Sequence, residues 1–175
     1  MSNLRLINET TVSSSVAKVK IENVFTSDYD IYKIVYDNFF ADGQDLINLS
    51  FLTPQGSEET LYYAYGWAFL NCQTNATFSE TKDNQDNDIQ GISVIGSSTG
   101  ESAGGVLYIF NPFSSSSYTF VTSQNSAMRG SVNQNKKGMG SLNLASSMGG
   151  FAFSINGTDS FTSGVIRTYG LRVDS

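Results

Sequence analysis

Two alternating stretches near the C-terminus constrain the fold most. Phe151, Phe153 and Ile155 alternate with Ala152 and Ser154, so one face of a strand is apolar and the other is not. Asn156-Gly157 follows and supplies the backbone freedom of a tight turn. A second β-rich stretch, Phe161 to Leu171, then runs almost to the end of the chain. A chain that closes on such a strand needs that strand to complete a sheet.

The same reading applied along the chain predicts strands over 3–7, 16–25, 29–39, 45–53, 60–70, 88–95, 104–110, 117–123, 139–145, 150–155 and 163–172. Ile47, Leu49 and Phe51 share one face of the fourth. The best helix candidate, Glu58 to Leu70, is dense in aromatics and broken by Gly66, and aromatic side chains lose rotamer freedom in helices. It is read as a strand. Turns are expected at Asp42-Gly43, Pro54-Gln55-Gly56, Gly104-Gly105, Asn111-Pro112 and Asn156-Gly157. Many short strands separated by turns predict an all-β, antiparallel β-sandwich, jelly-roll-like, in a single domain over residues 1–175. Residues 79–88, wholly polar, and 124–141, mixing Gly, Asn and Lys, are expected to be long loops.

Composition narrows the chemistry. The chain contains no histidine, one cysteine and only 15% charged residues. Without histidine there is no Ser-His-Asp or Cys-His nucleophile system and no HExxH zinc site. Cys72 has no basic neighbour in sequence to lower its pKa, and is expected as a small buried or half-buried thiol. Gly100 to Gly104 lacks the following Lys of a phosphate cradle. Glu58-Glu59 and the pair Asp28 and Asp30 are unspecific as a glycosidase dyad. Asp83, Asp86 and Asp88 could offer oxygen ligands to Ca²⁺, but the loop fails the EF-hand spacing. No enzyme activity, cofactor or metal is expected. A net charge of −6 argues against a nucleic-acid partner. No apolar run approaches membrane-spanning length, and Met1 to Arg5 carries no apolar signal core. The sequons at Asn8, Asn48, Asn75 and Asn156 are expected by chance in a chain rich in Asn, Ser and Thr.

Tyr62, Tyr63, Tyr65, Trp67 and Phe69 form the densest aromatic cluster. Core packing, a protein interface and a sugar-stacking platform are all open for it.

The C-terminal Phe161-Thr162-Ser163-Gly164-Val165-Ile166-Arg167-Thr168-Tyr169-Gly170-Leu171 resembles the closing strand of small virion proteins of tailed bacteriophages, marine and cyanobacterial phages among them. Asn23 to Tyr32, Phe51 to Ser57 and Phe110 to Thr119 are similar to other segments of that type. The stretch 79–103 has no counterpart. The resemblance implies a non-enzymatic structural component. The first expectation is a capsid decoration (cement) protein, made in the host cytoplasm and carried on the capsid surface of the virion. It would self-associate as a homo-oligomer, a trimer in this reading, and bind the outside of the major capsid protein shell. The alternative is a tail, fibre or receptor-binding module that recognises a cell-surface glycan. Contact residues are expected in the N-terminal segment (Leu4, Leu6, Ile7), in the 124–141 stretch (Met128, Arg129, Lys136, Lys137, Met139) and in the aromatic cluster (Tyr65, Trp67).

Overall fold

The computed structural model describes residues 3–72 and 77–172, so Asn75 lies outside the described residues. Among the described residues there are twelve strands: β1 (Leu4–Val12), β2 (Lys18–Ile21), β3 (Ile31–Ala41), β4 (Asp45–Leu52), β5 (Tyr63–Cys72), β6 (Thr77–Asp86), β7 (Ile89–Ile95), β8 (Ala103–Phe110), β9 (Thr119–Arg129), β10 (Val132–Leu142), β11 (Gly150–Ile155) and β12 (Phe161–Leu171). They form two antiparallel sheets, ordered β1-β12-β3-β8-β9-β10-β5-β6 and β2-β11-β4-β7.

The topology is a jelly roll. Eight strands pair as one long hairpin folded back on itself: β1 with β12, β2 with β11, β3 with β8, and β4 with β7. Rolling that hairpin brings β12 beside β3 and β11 beside β4, which closes a four-on-four sandwich. Two hairpins are inserted into it. β5–β6 interrupts the β4-to-β7 connection and β9–β10 the β8-to-β11 connection. Both join the same sheet on the β8 side, through β8·β9, β9·β10, β10·β5 and β5·β6 pairing. One sheet is therefore twice as wide as the other.

The core between the sheets is aromatic. Phe25, Tyr32, Tyr36, Phe39, Phe51, Phe151, Phe153 and Phe161 are buried and meet mostly edge-on. Such contacts add about 0.5–1.5 kcal/mol each beyond area burial. Two tyrosines also fasten the connections. The Tyr32 hydroxyl accepts from Thr26 N (2.7 Å) and donates to Thr26 O (3.0 Å). The Tyr63 hydroxyl does the same between Phe51 N (2.8 Å) and Glu59 O (3.1 Å).

Large rings need room, and glycines on neighbouring strands provide it. Gly105 lies opposite Tyr36, and Gly138 opposite Trp67. A Cβ at Gly138 would strike Trp67 and the Gly66 carbonyl; one at Gly105 would strike Tyr36 and Asn125. An aromatic ring laid over a cross-strand glycine restores the contact area that the glycine lacks.

Several expectations need correction. Residues 79–88 are not a loop: most of them form β6, an edge strand whose polar side chains face solvent on both sides. Residues 124–141 are not a loop either, but the hairpin of β9 and β10. Gly104-Gly105 is not a turn; it lies inside β8, where Gly105 makes space for Tyr36. Cys72, at the end of β5, is exposed.

Replacing Gly138 by Val should destabilise the fold by roughly 2–3 kcal/mol or more, because the added atoms meet backbone that cannot move aside. Ser126→Val, on an exposed position of β9, should stay within about 0.5 kcal/mol. Urea unfolding followed by Trp67 fluorescence measures both.

Candidate interaction surface

The side of the wide sheet that faces away from the narrow one is its outer face. Strand register places its side chains in rows. One row runs Leu4, Leu171, Ile31, Phe110, Phe120, Ser141 and Ala64. The next runs Leu6, Tyr169, Lys33, Tyr108, Thr122, Met139 and Gly66. The following row is more polar: Glu9, Arg167, Val35, Val106, Gln124, Lys137 and Ala68. The apolar rows gather at the end of the sheet where β1 and β9 begin and β8, β10 and β12 end. Leu6, Tyr108, Phe120 and Met139 are exposed there.

Small residues on β5 open a groove in this face. Ala64 and Gly66 form its floor, Phe120 and Met139 one wall, and Lys82, Asp83 and Asn84 of β6 the other. Its volume is about 850 Å³. Apolar surface dominates the lining, as in sites that bind by burial with a few polar groups for orientation.

Some of the charges near the apolar rows are paired within the sheet. Arg167 lies 2.7 Å from Glu9 and 2.7 Å from Asp37. Lys82 lies 3.0 Å from Glu80. The Arg167 guanidinium is held above its usual range by hydrogen bonds to these two carboxylates.

The structure divides the expected contact residues. Leu4, Leu6, Lys137 and Met139 stand on the outer face. Met128 and Arg129 are exposed at the end of β9, away from the apolar rows. Ile7 packs against the core instead, because it alternates with Leu6, whose side chain faces outward. Trp67 is not a surface residue: it is buried, and its indole N–H donates to the Gln90 carbonyl at 2.7 Å. Tyr65 stacks on Trp67 with ring centres 6.3 Å apart and donates to Asp86 Oδ2 at 3.4 Å. Burial first, then the carboxylates of Asp86 and Asp83, push its hydroxyl up to about 12. Lys136 is buried, not exposed, and its ammonium donates to the Gly91 carbonyl at 3.1 Å. Phe110, Phe120, Tyr108 and Tyr169 were missing from the expected set. For Phe120 the signal is its alternation with Thr122 and Gln124, visible only once 119–129 is read as one strand.

Lys136 and Asn125 belong to a polar seam inside the sandwich. Asn125 Nδ2 donates to the Ile92 carbonyl, next to the Gly91 carbonyl held by Lys136. Phe69 lies 5.4 Å from the Lys136 ammonium. Burial, helped by the charge of Arg129, lowers the Lys136 pKa to about 8. Asp88 shows the opposite case. Burial and the nearby Asp86 carboxylate raise it to about 6, against the hydrogen bond it accepts from Asn48 at 3.2 Å. Its second oxygen is buried without a partner.

The carboxylates considered for chemistry are otherwise engaged. Glu58 pairs with Lys18 (2.6 Å) and Lys20 (3.3 Å). Burial raises its pKa, but the two ammonium groups outweigh that and leave it lowered. Among the described residues no group of three or more Cys, Asp or Glu is placed to hold a metal ion.

Two pH dependences follow. Unfolded Lys136 keeps its proton to about 10.5, whereas the folded form releases it near 8. The unfolded state then binds more protons between those values, so stability should rise with pH from 8 towards 10. The rise should be on the order of 1–2 kcal/mol by pH 9.5, and Lys136→Met should abolish it in urea titrations. Asp88 has a folded pKa raised from 3.8, so its favourable contribution is complete below pH 4 and lost as pH rises through 6. Asp88→Asn should therefore raise the melting temperature at pH 7 and leave it nearly unchanged at pH 4.

No family model matches the chain, and neither does any curated protein or solved structure.

Proposed function

We propose that the protein is a structural component of a tailed-phage virion, and that it works as a capsid decoration protein bound to the outside of the major capsid shell. The observation that carries this reading is the outer face of the wide sheet. Apolar rows cross it from β1 to β8, and the two inserted hairpins extend them. That surface is not used by the fold and is suited to contact.

The electrostatics fit such a role. Exposed ion pairs contribute little and are screened by salt, so durable contacts depend on shape and apolar burial. The chain is poor in charge, and Arg167 beside the apolar rows is paired within the sheet with Glu9 and Asp37. The phage-like segments also fall on the framework. Phe161–Leu171 is β12, the strand between β1 and β3, and Asn23 to Tyr32 leads into β3 through the Tyr32 clamp. A decoration protein stabilises a shell by gripping several neighbouring subunits at once, where multivalent attachment raises avidity without new chemistry.

The groove gives the alternative, a tail or fibre module that recognises a glycan, its one specific footing. Lys82, Asp83 and Asn84 face Phe120 across it, which offers hydrogen bonds beside a ring.

Copy number separates the two readings. Quantitative mass spectrometry of purified particles should find this chain at a number comparable with the major capsid protein. A number of roughly a dozen or fewer per particle would place it in the tail and overturn the decoration reading.

A further inference from the structure

We infer that the partner of the apolar outer face is a second copy of the same chain, packed face to face across a two-fold axis. The inference rests on reading that face as a protein contact surface, and in it the pair, not the single chain, meets the shell through its remaining surface.

Area is the first argument. Leu6, Tyr108, Phe120 and Met139 are 50%, 37%, 46% and 67% exposed. At roughly 200 Å² for each large side chain, they offer about 400 Å² of apolar surface, before half-buried neighbours in the same rows are counted. A standard interface covers about 800 Å² per partner, of which about 56–65% is apolar. The patch is thus close to the apolar content of one whole interface.

Charge decides which partner fits. The chain carries a net charge of −6, so two copies repel each other over most orientations. The outer face is the exception. Arg167 is paired with Glu9 and Asp37, and Lys82 with Glu80, which leaves these five groups at −1. Lys33 and Lys137 add two positive charges on the same face. A copy can meet a copy here without bringing negative charge together. A foreign partner selected by charge would require a strongly unbalanced set on this face, and these paired and unpaired charges come close to balance.

Geometry agrees. A two-fold interface uses one self-complementary patch on both subunits. The edge strand β6 carries Glu80, Lys82, Asp83 and Asp86, which disfavours strand-to-strand addition along that part of the edge.

Light scattering after size exclusion, from 1 to 100 µM, tests the inference. The wild type should weigh twice the chain mass at the upper concentrations. Met139→Glu and Thr122→Arg, both at exposed outer-face positions, should reduce it to one chain mass. Ser126→Arg, on the same strand but beyond the apolar rows, should remain paired. Near-UV circular dichroism of the Trp67 environment checks that each variant is folded, and either of the two disruptive variants suffices if the other is not. A wild type that stays at one chain mass at 100 µM, a three-chain mass, or a pair that survives both disruptive variants would overturn the inference. A single-chain protein still abundant on purified capsids would overturn it while leaving the decoration role standing. A pair that behaves as expected but is absent from particles would do the reverse.

Discussion

A four-stranded sheet laid over an eight-stranded one must end inside the sandwich, and β7 is where it ends. Its free edge would leave backbone carbonyls in an apolar interior, where each unsatisfied group costs on the order of 1–3 kcal/mol. The wide sheet answers them with side chains. Trp67 reaches Gln90, Lys136 reaches Gly91, and Asn125 reaches Ile92. These three donors come from β5, β10 and β9, the inserted strands. The same bonds that cap β7 therefore fasten the insertions to the jelly roll. They also explain a buried lysine without a buried carboxylate beside it. Its partner is a carbonyl dipole and an aromatic ring, and its lowered pKa reflects that incomplete compensation.

Once that seam holds β5, β9 and β10, their outer faces have no structural work left. Inward positions are tightly constrained, since Gly138 must be glycine to admit Trp67, and Gly105 must be glycine to admit Tyr36. Outward positions on the same strands are free to carry Phe120, Met139 and Tyr108. A strand alternates its side chains, so a scaffold can be specified on one face while a contact surface is built on the other.

How much of this was legible in the sequence depended on what each inward side chain meets. Where inward residues meet other side chains, the alternation is hydrophobic and easily read: Ile47, Leu49 and Phe51 in β4, and Phe151, Phe153 and Ile155 in β11. In β9 the inward set is Thr119, Val121, Ser123, Asn125 and Ala127; in β10 it includes Lys136, Gly138 and Gly140. Several of these face a backbone edge or an aromatic ring. Polar and small residues are the correct choice there, and the hydrophobic period disappears with them. The β9–β10 hairpin consequently resembled a loop. β6 was hidden for a different reason: as an edge strand with little to cover, it has no apolar face to show. Trp67 was legible as core or contact but not as a donor, because its role depends on β7, which follows it by more than twenty residues.

The two halves of this design have different sensitivities to the medium. The net negative charge keeps copies apart by a force that salt screens within about 10 Å. The apolar rows hold surfaces together by a force that salt does not weaken, and that strongly hydrated salts reinforce. A chain built this way does not lose its contacts as ionic strength rises. Repulsion fades first, while the apolar term remains. Contacts built from exposed ion pairs would behave in the opposite sense. Pairing Arg167 with Glu9 and Asp37 inside the outer face keeps that salt-sensitive group from being a contact with the partner.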